Sequence, residues 1–222
     1  MSILVYRDKA TASAAAATML SACIIEKPSS VLGLDFAPEL SPIYRTVSRM
    51  TADGLLDWDD VRVFNLYEHV HDDVDISMNE QLGSVLLDKV NIRPENRFLT
   101  NTASHDWSVS CNNYESEILN AGGLDTVFCA IRADGSVAFN QGESELAPVT
   151  HVERTENGRV VTVAITTIMS AKRVIAVMIG QDKARMAGRV FNAPIVPSVP
   201  ASYLQLHANA IFLLDEDAAE NM

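Results

Sequence analysis

Six short runs dense in Val, Ile and Leu punctuate this chain, and longer helix-like stretches lie between them. The runs are VLGL (31–34), VRVFNL (61–66), TVFCAI (126–131), VVTVAI (160–165), RVIAVMIG (173–180) and AIFLLD (210–215). Continuous apolar runs of this length mark strands buried on both faces, which happens when helices cover both sides of a parallel sheet. The intervening stretches 8–26, 39–53, 77–90, 105–121 and 181–191 read as helices, and 167–171 as one turn. The order is that of βαβ units, so the expected fold is α/β: one doubly wound, mostly parallel sheet with helices on both faces, Rossmann-like. No repeat or low-complexity linker breaks the series. With 48% of its 222 residues hydrophobic, the chain can fill one sizeable core, and the expectation is a single domain over 1–222.

Charge and cysteine usage exclude several classes. A net charge of −12 disfavours nucleic acid and anionic membrane surfaces, both of which draw on clustered Lys and Arg. Cys23, Cys111 and Cys129 are too few and too scattered for a disulfide framework, and no CxxC pair points to zinc. A reducing, cytoplasmic setting is expected. The stretch RDKATASAAAATMLSAC (7–23) imitates a lipoprotein signal, but Asp8 among the positive charges and a run made mostly of Ala and Thr favour an Ala-rich first helix. No stretch approaches the roughly 20 uninterrupted apolar residues of a membrane-spanning helix.

Open α/β sheets bind ligands beyond the carboxyl ends of their strands. That rule points to residues 33–42, 65–75 and 132–144. Read in order, these places and the C-terminal third carry recognisable motifs. They are EKPSSVLGL (26–34), VRVFNLYEHV (61–70), YESEILNAGGLDTVFCAIRADGSVAFN (114–140), TVAITTIMSAKRVIAVMIGQDKA (162–184) and VPASYLQLHANAIFLLD (199–215). Together they resemble the glucosamine-6-phosphate deaminase and galactosamine-6-phosphate isomerase family, relatives of the 6-phosphogluconolactonases, over nearly the whole chain.

The resemblance implies carbohydrate metabolism, a sugar phosphate as ligand, no cofactor, and homo-oligomers as an option. It also implies three site components: an anion cradle, a carboxylate base over carbon 2, and a ring-opening acid–base group. Each departs from the family here. The cradle at Gly33 has become GLDFAPELSP (33–42), with Asp35 and Glu39 where a dianion would rest, so repulsion of phosphate is expected. Lys183 matches the family's phosphate lysine; a solvated lysine at a helix start is the plainer alternative. Tyr67 stands at the base position with Glu68 beside it, and a phenol is a poor base at neutral pH. The ring-opening histidine is Ser136 and its glutamate partner Gln141, while Asp134 remains, readable as a turn residue. Arg132 and its neighbours replace glycines and take room from a ligand.

The segment 141–161 is shorter than the family's lid, so no lid is expected. Arg154 or Arg159 could replace its phosphate-binding arginine, and TENGR (155–159) reads first as a hairpin turn. His69 and His71 could act as substitute bases, and EHVHDDVD (68–75) offers metal-ligand types, but without a second ligand cluster no metal site is expected. Replacement of the base, ring opener, partner and cradle together points to an impaired family member acting in binding or subunit interaction. The alternative is an isomerase, deaminase or lactonase-like hydrolase using some of Glu68, His69, His71, Asp134 and Lys183.

Overall fold

Asp8 starts the first helix: its carboxylate accepts the Thr11 N–H at 2.7 Å, capping α1 (Lys9–Glu26), which follows strand β1 (Ser2–Tyr6). The computed structural model describes residues 1–70, 77–100, 102, 106–142, 147–156 and 158–222. Small residues Ala12, Ala16 and Ala17 are buried with Leu20 and Ile24 on α1, where short side chains let the helix approach its neighbours closely. After β2 (Val31–Leu34), a 3-10 turn (Pro38–Leu40) leads into α2 (Ser41–Ala52), which packs on α1.

The chain continues through β3 (Arg62–Asn65), β4 (Tyr67–His69), α3 (Met78–Leu82) and β5 (Arg97–Phe98). Next come α4 (Trp107–Asn120), β6 (Thr126–Ala130), the hairpin β7 (His151–Thr155) and β8 (Gly158–Thr162), and α5 (Ile165–Met169). Strand β9 (Arg173–Met178), α6 (Ala184–Asn192), β10 (Ala210–Asp215) and α7 (Glu216–Ala219) complete it.

Seven strands form one sheet in the order β1-β10-β9-β6-β2-β3-β5, every pairing parallel. Every residue of β2 and β6 is buried. Successive side chains point to opposite faces, so both faces of the central strands are covered, as expected of a doubly wound α/β sheet. From β2 the chain winds outward to β3 and β5, then returns to place β6 on the other side of β2. The crevice beyond the carboxyl ends of β2 and β6 is therefore the topological switch point. No described helix is long and apolar enough to cross a membrane.

Two expectations from the sequence change. The run 160–165 is not a central strand: β8 ends at Thr162 and joins β4 and β7 in a separate three-stranded antiparallel sheet. Its last residue turns helical because the Asn140 side chain accepts the Ile165 N–H at 3.1 Å and holds the start of α5. The helix expected over 77–90 is α3 followed by a single π turn over Gly83–Leu87. Thr155 pairs with Gly158 across the expected hairpin, whose Asn157 lies outside the described residues.

Candidate functional site

At the switch point, Asp35 leaves β2 and Arg132 follows β6 by two residues. The Asp35 carboxylate is fully buried; it accepts the Ala130 N–H at 2.9 Å and pairs with Arg132 Nη2 at 3.2 Å. Burial pushes the Asp35 carboxyl up from its usual range, and the guanidinium opposes that rise. Burial likewise works against the Arg132 charge, but Asp35 and Tyr67 together outweigh it and hold the guanidinium protonated. The guanidinium lies over two rings, 4.5 Å from the Phe139 centroid and 5.1 Å from that of Tyr67. The two negative charges expected to repel a dianion are thus both compensated. Glu39, the other acid, lies 3.5 Å from Lys183 Nζ. Arg132 supplies what the sequence reading treated only as lost room.

Tyr67 is buried, and its hydroxyl donates to the Phe36 carbonyl. Burial, reinforced by Asp35, drives its pKa far above the ordinary phenol value. Glu68 is buried beside it and turned the other way. Oε1 accepts the N–H groups of His69 (2.7 Å) and Met78 (2.9 Å); Oε2 accepts the Asn79 N–H (2.8 Å) and the Ser77 hydroxyl (3.0 Å). Four donors fill the capacity of one carboxylate. Two of them are the leading amides of α3, where a negative charge also complements the helix dipole. His69 follows, half-buried, its ring edge-on to Phe139 at 5.5 Å and its Nδ1 buried without a partner among the described residues. Burial lowers its pKa, so the ring is neutral at pH 7.

The loop after β6 is held by its own backbone. Asp134 Oδ1 accepts the Ser136 N–H at 2.8 Å, and Gly135 N–H donates to the Arg132 carbonyl. Gly135 has φ +85°, and a Cβ there would meet Met186 Sδ at 2.9 Å, so glycine is required by conformation and by space. Ser136 is buried, and its hydroxyl has no partner among the described residues. Ala138 (φ +49°) and Phe139 (φ +63°) are both left-handed, a costly backbone for residues with side chains. It is secured where Asn140 donates to the carbonyls of Val137 and Val163 and the Thr162 hydroxyl donates to that of Ala138.

The strained turn carries the Phe139 ring to the border of two cavities. The smaller, about 370 Å³, lies among Phe36, Glu39, Tyr67, Arg132 and Lys183. The larger, about 800 Å³, is walled by Asp134, Gln141, Arg154, Glu156, Arg189 and Ser198. His69 and Phe139 belong to both. Among the described residues no three His, Cys, Asp or Glu gather as a metal cage; His71 and the acids following it lie outside the described residues.

This arrangement can be set beside known proteins. The family model for glucosamine-6-phosphate isomerases and 6-phosphogluconolactonases matches residues 10–213. The chain belongs to that family. Glucosamine-6-phosphate deaminase of Clostridioides difficile (strain 630) is 32% identical over 241 residues, covering 100% of this chain and 97% of the relative. The deaminase of Pseudoalteromonas translucida (strain TAC 125) is 30% identical, covering 99% and 89%. A monomeric glucosamine-6-phosphate deaminase superimposes with a TM-score of 0.94 at 24% identity, each chain covered completely. The 6-phosphogluconolactonase from Trypanosoma brucei gives 0.81 at 21% identity, covering 100% of this chain and 98% of the other.

Set on the pattern of the glucosamine-6-phosphate isomerase and 6-phosphogluconolactonase family, the sequence-derived site residues divide. Tyr67, Asp134 and Ser136 gather around the loop after β6, and Gln141 reaches the larger cavity. Lys183 reaches the smaller one, but it is no solvated lysine: it is buried, with Asp182 Oδ2 at 2.5 Å and Glu39 beyond. Glu68 faces the start of α3 instead. Gly33 sits inside β2, where a Cβ would come within 2.9 Å of Leu66 Cδ2 and 3.2 Å of Val127 Cγ2. Its smallness serves sheet packing. Gly33→Ala is expected to cost about 1–3 kcal/mol in urea unfolding, the usual penalty for overpacking; an unchanged midpoint would show slack at this point of the core.

Two features escaped the sequence. Arg189 joins Arg154 at the larger cavity, although nothing in the spacing of α6 marks it. The Asp35–Arg132 pair spans 97 positions. A signal for it existed, since an acid and a cation both occupy the exits of strands that flank a switch point.

Proposed function

We propose that this chain is a sugar-phosphate-binding member of carbohydrate metabolism that has lost the proton transfers of amino-sugar-phosphate deamination. One observation carries the reading: the position of the carbon-2 base holds a buried phenol bonded to Phe36, closed over by the Arg132 guanidinium and its Asp35 partner. Neither Tyr67 nor Arg132 can accept a proton near neutral pH, and loss of one acid–base group alone costs about 10²–10⁴ in rate. Ser136, where the ring-opening group belongs, has no titration to offer. A cytoplasmic location belongs to the same reading, supported by three cysteines that are all free and buried.

The test is an ammonia-release assay with glucosamine-6-phosphate, run beside calorimetric titration of the same sugar. Binding heat without ammonia above the uncatalysed level is expected. Sustained ammonia release would overturn the proposal.

A second reading, a lactone hydrolase on a sugar phosphate, is favoured by His69. Its ring is neutral at pH 7, stands where the two cavities meet and has no partner for Nδ1 among the described residues. Hydrolysis of 6-phosphogluconolactone that disappears in His69→Gln would establish that reading in place of the first.

A further inference from the structure

The larger cavity contains two guanidiniums: Arg154, one of the two candidates for the family's phosphate-binding arginine, and Arg189, which the family pattern does not place there. Arg154 comes from β7 and Arg189 from the last turn of α6, and both line the same 800 Å³ space. Neither makes an ion pair or side-chain hydrogen bond with any described residue. That is unusual where acids outnumber Lys and Arg by 29 to 17. The two acids on the same wall do not neutralise them: Asp134 is turned onto the Ser136 amide, and Glu156 lies beyond ion-pair distance of both. A cation in the last turn of a helix complements the dipole, which would explain Arg189 alone but not Arg154 on a strand. In the smaller cavity the situation is reversed, because Lys183 already has Asp182 and Glu39 as partners and Arg132 has Asp35.

We infer that the ligand's anionic group, a phosphate or carboxylate, binds between Arg154 and Arg189, with an apolar face of the ligand against Phe139. The anion site is thereby displaced from the loop at 35–40 to the opposite side of the Phe139 ring. The inference deepens the binding reading above and rests on it. Three features support it. A guanidinium presents a planar fork of donors matched to phosphate and carboxylate oxygens. The cavity has the size of small-molecule sites, roughly 300–1,000 Å³. The left-handed turn at Ala138 and Phe139 holds the ring rigidly at its edge.

Inorganic phosphate and glucosamine-6-phosphate are the probes, titrated by calorimetry into the full chain and into Arg154→Ala, Arg189→Ala and Lys183→Ala. Both arginines are exposed, so unchanged thermal unfolding is expected and can be verified first. Each arginine variant is expected to weaken both probes about tenfold, the worth of one charge-assisted contact. Lysine at either position should recover part of that loss, and Lys183→Ala should leave phosphate affinity within about twofold. If the sugar phosphate binds but responds only to Lys183→Ala, the displaced site is wrong while the binding reading stands. Ammonia release with KM raised by the arginine variants would do the opposite, removing the binding-only reading and keeping the site. No heat from either probe would overturn both.

Discussion

Arg132→Ala is expected to destabilise the fold by about 3 kcal/mol at neutral pH, read as a lower urea midpoint. Removing one partner of a buried ion pair costs about 3–5 kcal/mol, because the other charge is left uncompensated. Asp35 has no exposure at all, whereas the Arg132 side chain keeps 20% of its own, so water in the cavity places the expectation at the low end. The pH dependence follows from Asp35. Its folded pKa is raised above the unfolded value near 3.9, so its contribution to stability is complete below that value and is lost as pH rises through the folded one. Without Arg132 the folded value climbs further. The variant's deficit should therefore be full at pH 7 and narrow on acidification, as Asp35 takes up its proton. Combining Arg132→Met with Asp35→Asn should recover most of the loss, since no buried charge remains. A neutral-pH deficit below about 1 kcal/mol would mean that solvent reaches Asp35 and that the crevice at the switch point is open.

The contrast between what could and could not be read from the sequence follows from how far apart the deciding contacts lie. Strands β2, β6 and β9 announce themselves because a strand buried on both faces must be apolar at every position. Strand β1 (SILVY) holds an apolar run as long as that of β2 and is missing from the six read as strands, whereas β7 (HVERT) is mostly polar and produces none. The run at 160–165 looked like a central strand because Val160, Val161 and Val163 are buried, but their burial comes from the small antiparallel sheet and the loop after β6. The strand-end rule pointed to residues 33–42 and 132–144, which border the crevice beyond β2 and β6. It did not reveal how the crevice's charges pair, since Asp35 meets Arg132 and Glu39 meets Lys183 only after the strands are laid side by side. Counting negative residues along one loop therefore overstated the repulsion, and the cations that answer them come from β6's exit and the start of the α6 segment.

Glu68 poses the same question of local against distant partners, and it can be decided by experiment. Lying in β4 beside Tyr67, which stands at the base position, it invites a catalytic role; its contacts hold it at the start of α3. Glu68→Ala is expected to cost roughly 2–4 kcal/mol, because it leaves buried amides unsatisfied and removes a helix cap. Glu68→Gln should cost less, since its carbonyl oxygen can still accept two of the four donors while its amide nitrogen faces the others. Hydrogen exchange gives the sharper measurement. The amides of Met78 and Asn79, bonded at 2.9 and 2.8 Å to the carboxylate, should lose protection in Glu68→Ala far more than amides of β6 or β9. A proton-transfer residue would behave otherwise: Glu68→Gln would leave exchange and unfolding unchanged and remove turnover alone. Local loss of protection at α3 with ligand affinity kept would place Glu68 among the groups that build the crevice wall, next in sequence to His69 and turned onto the start of α3.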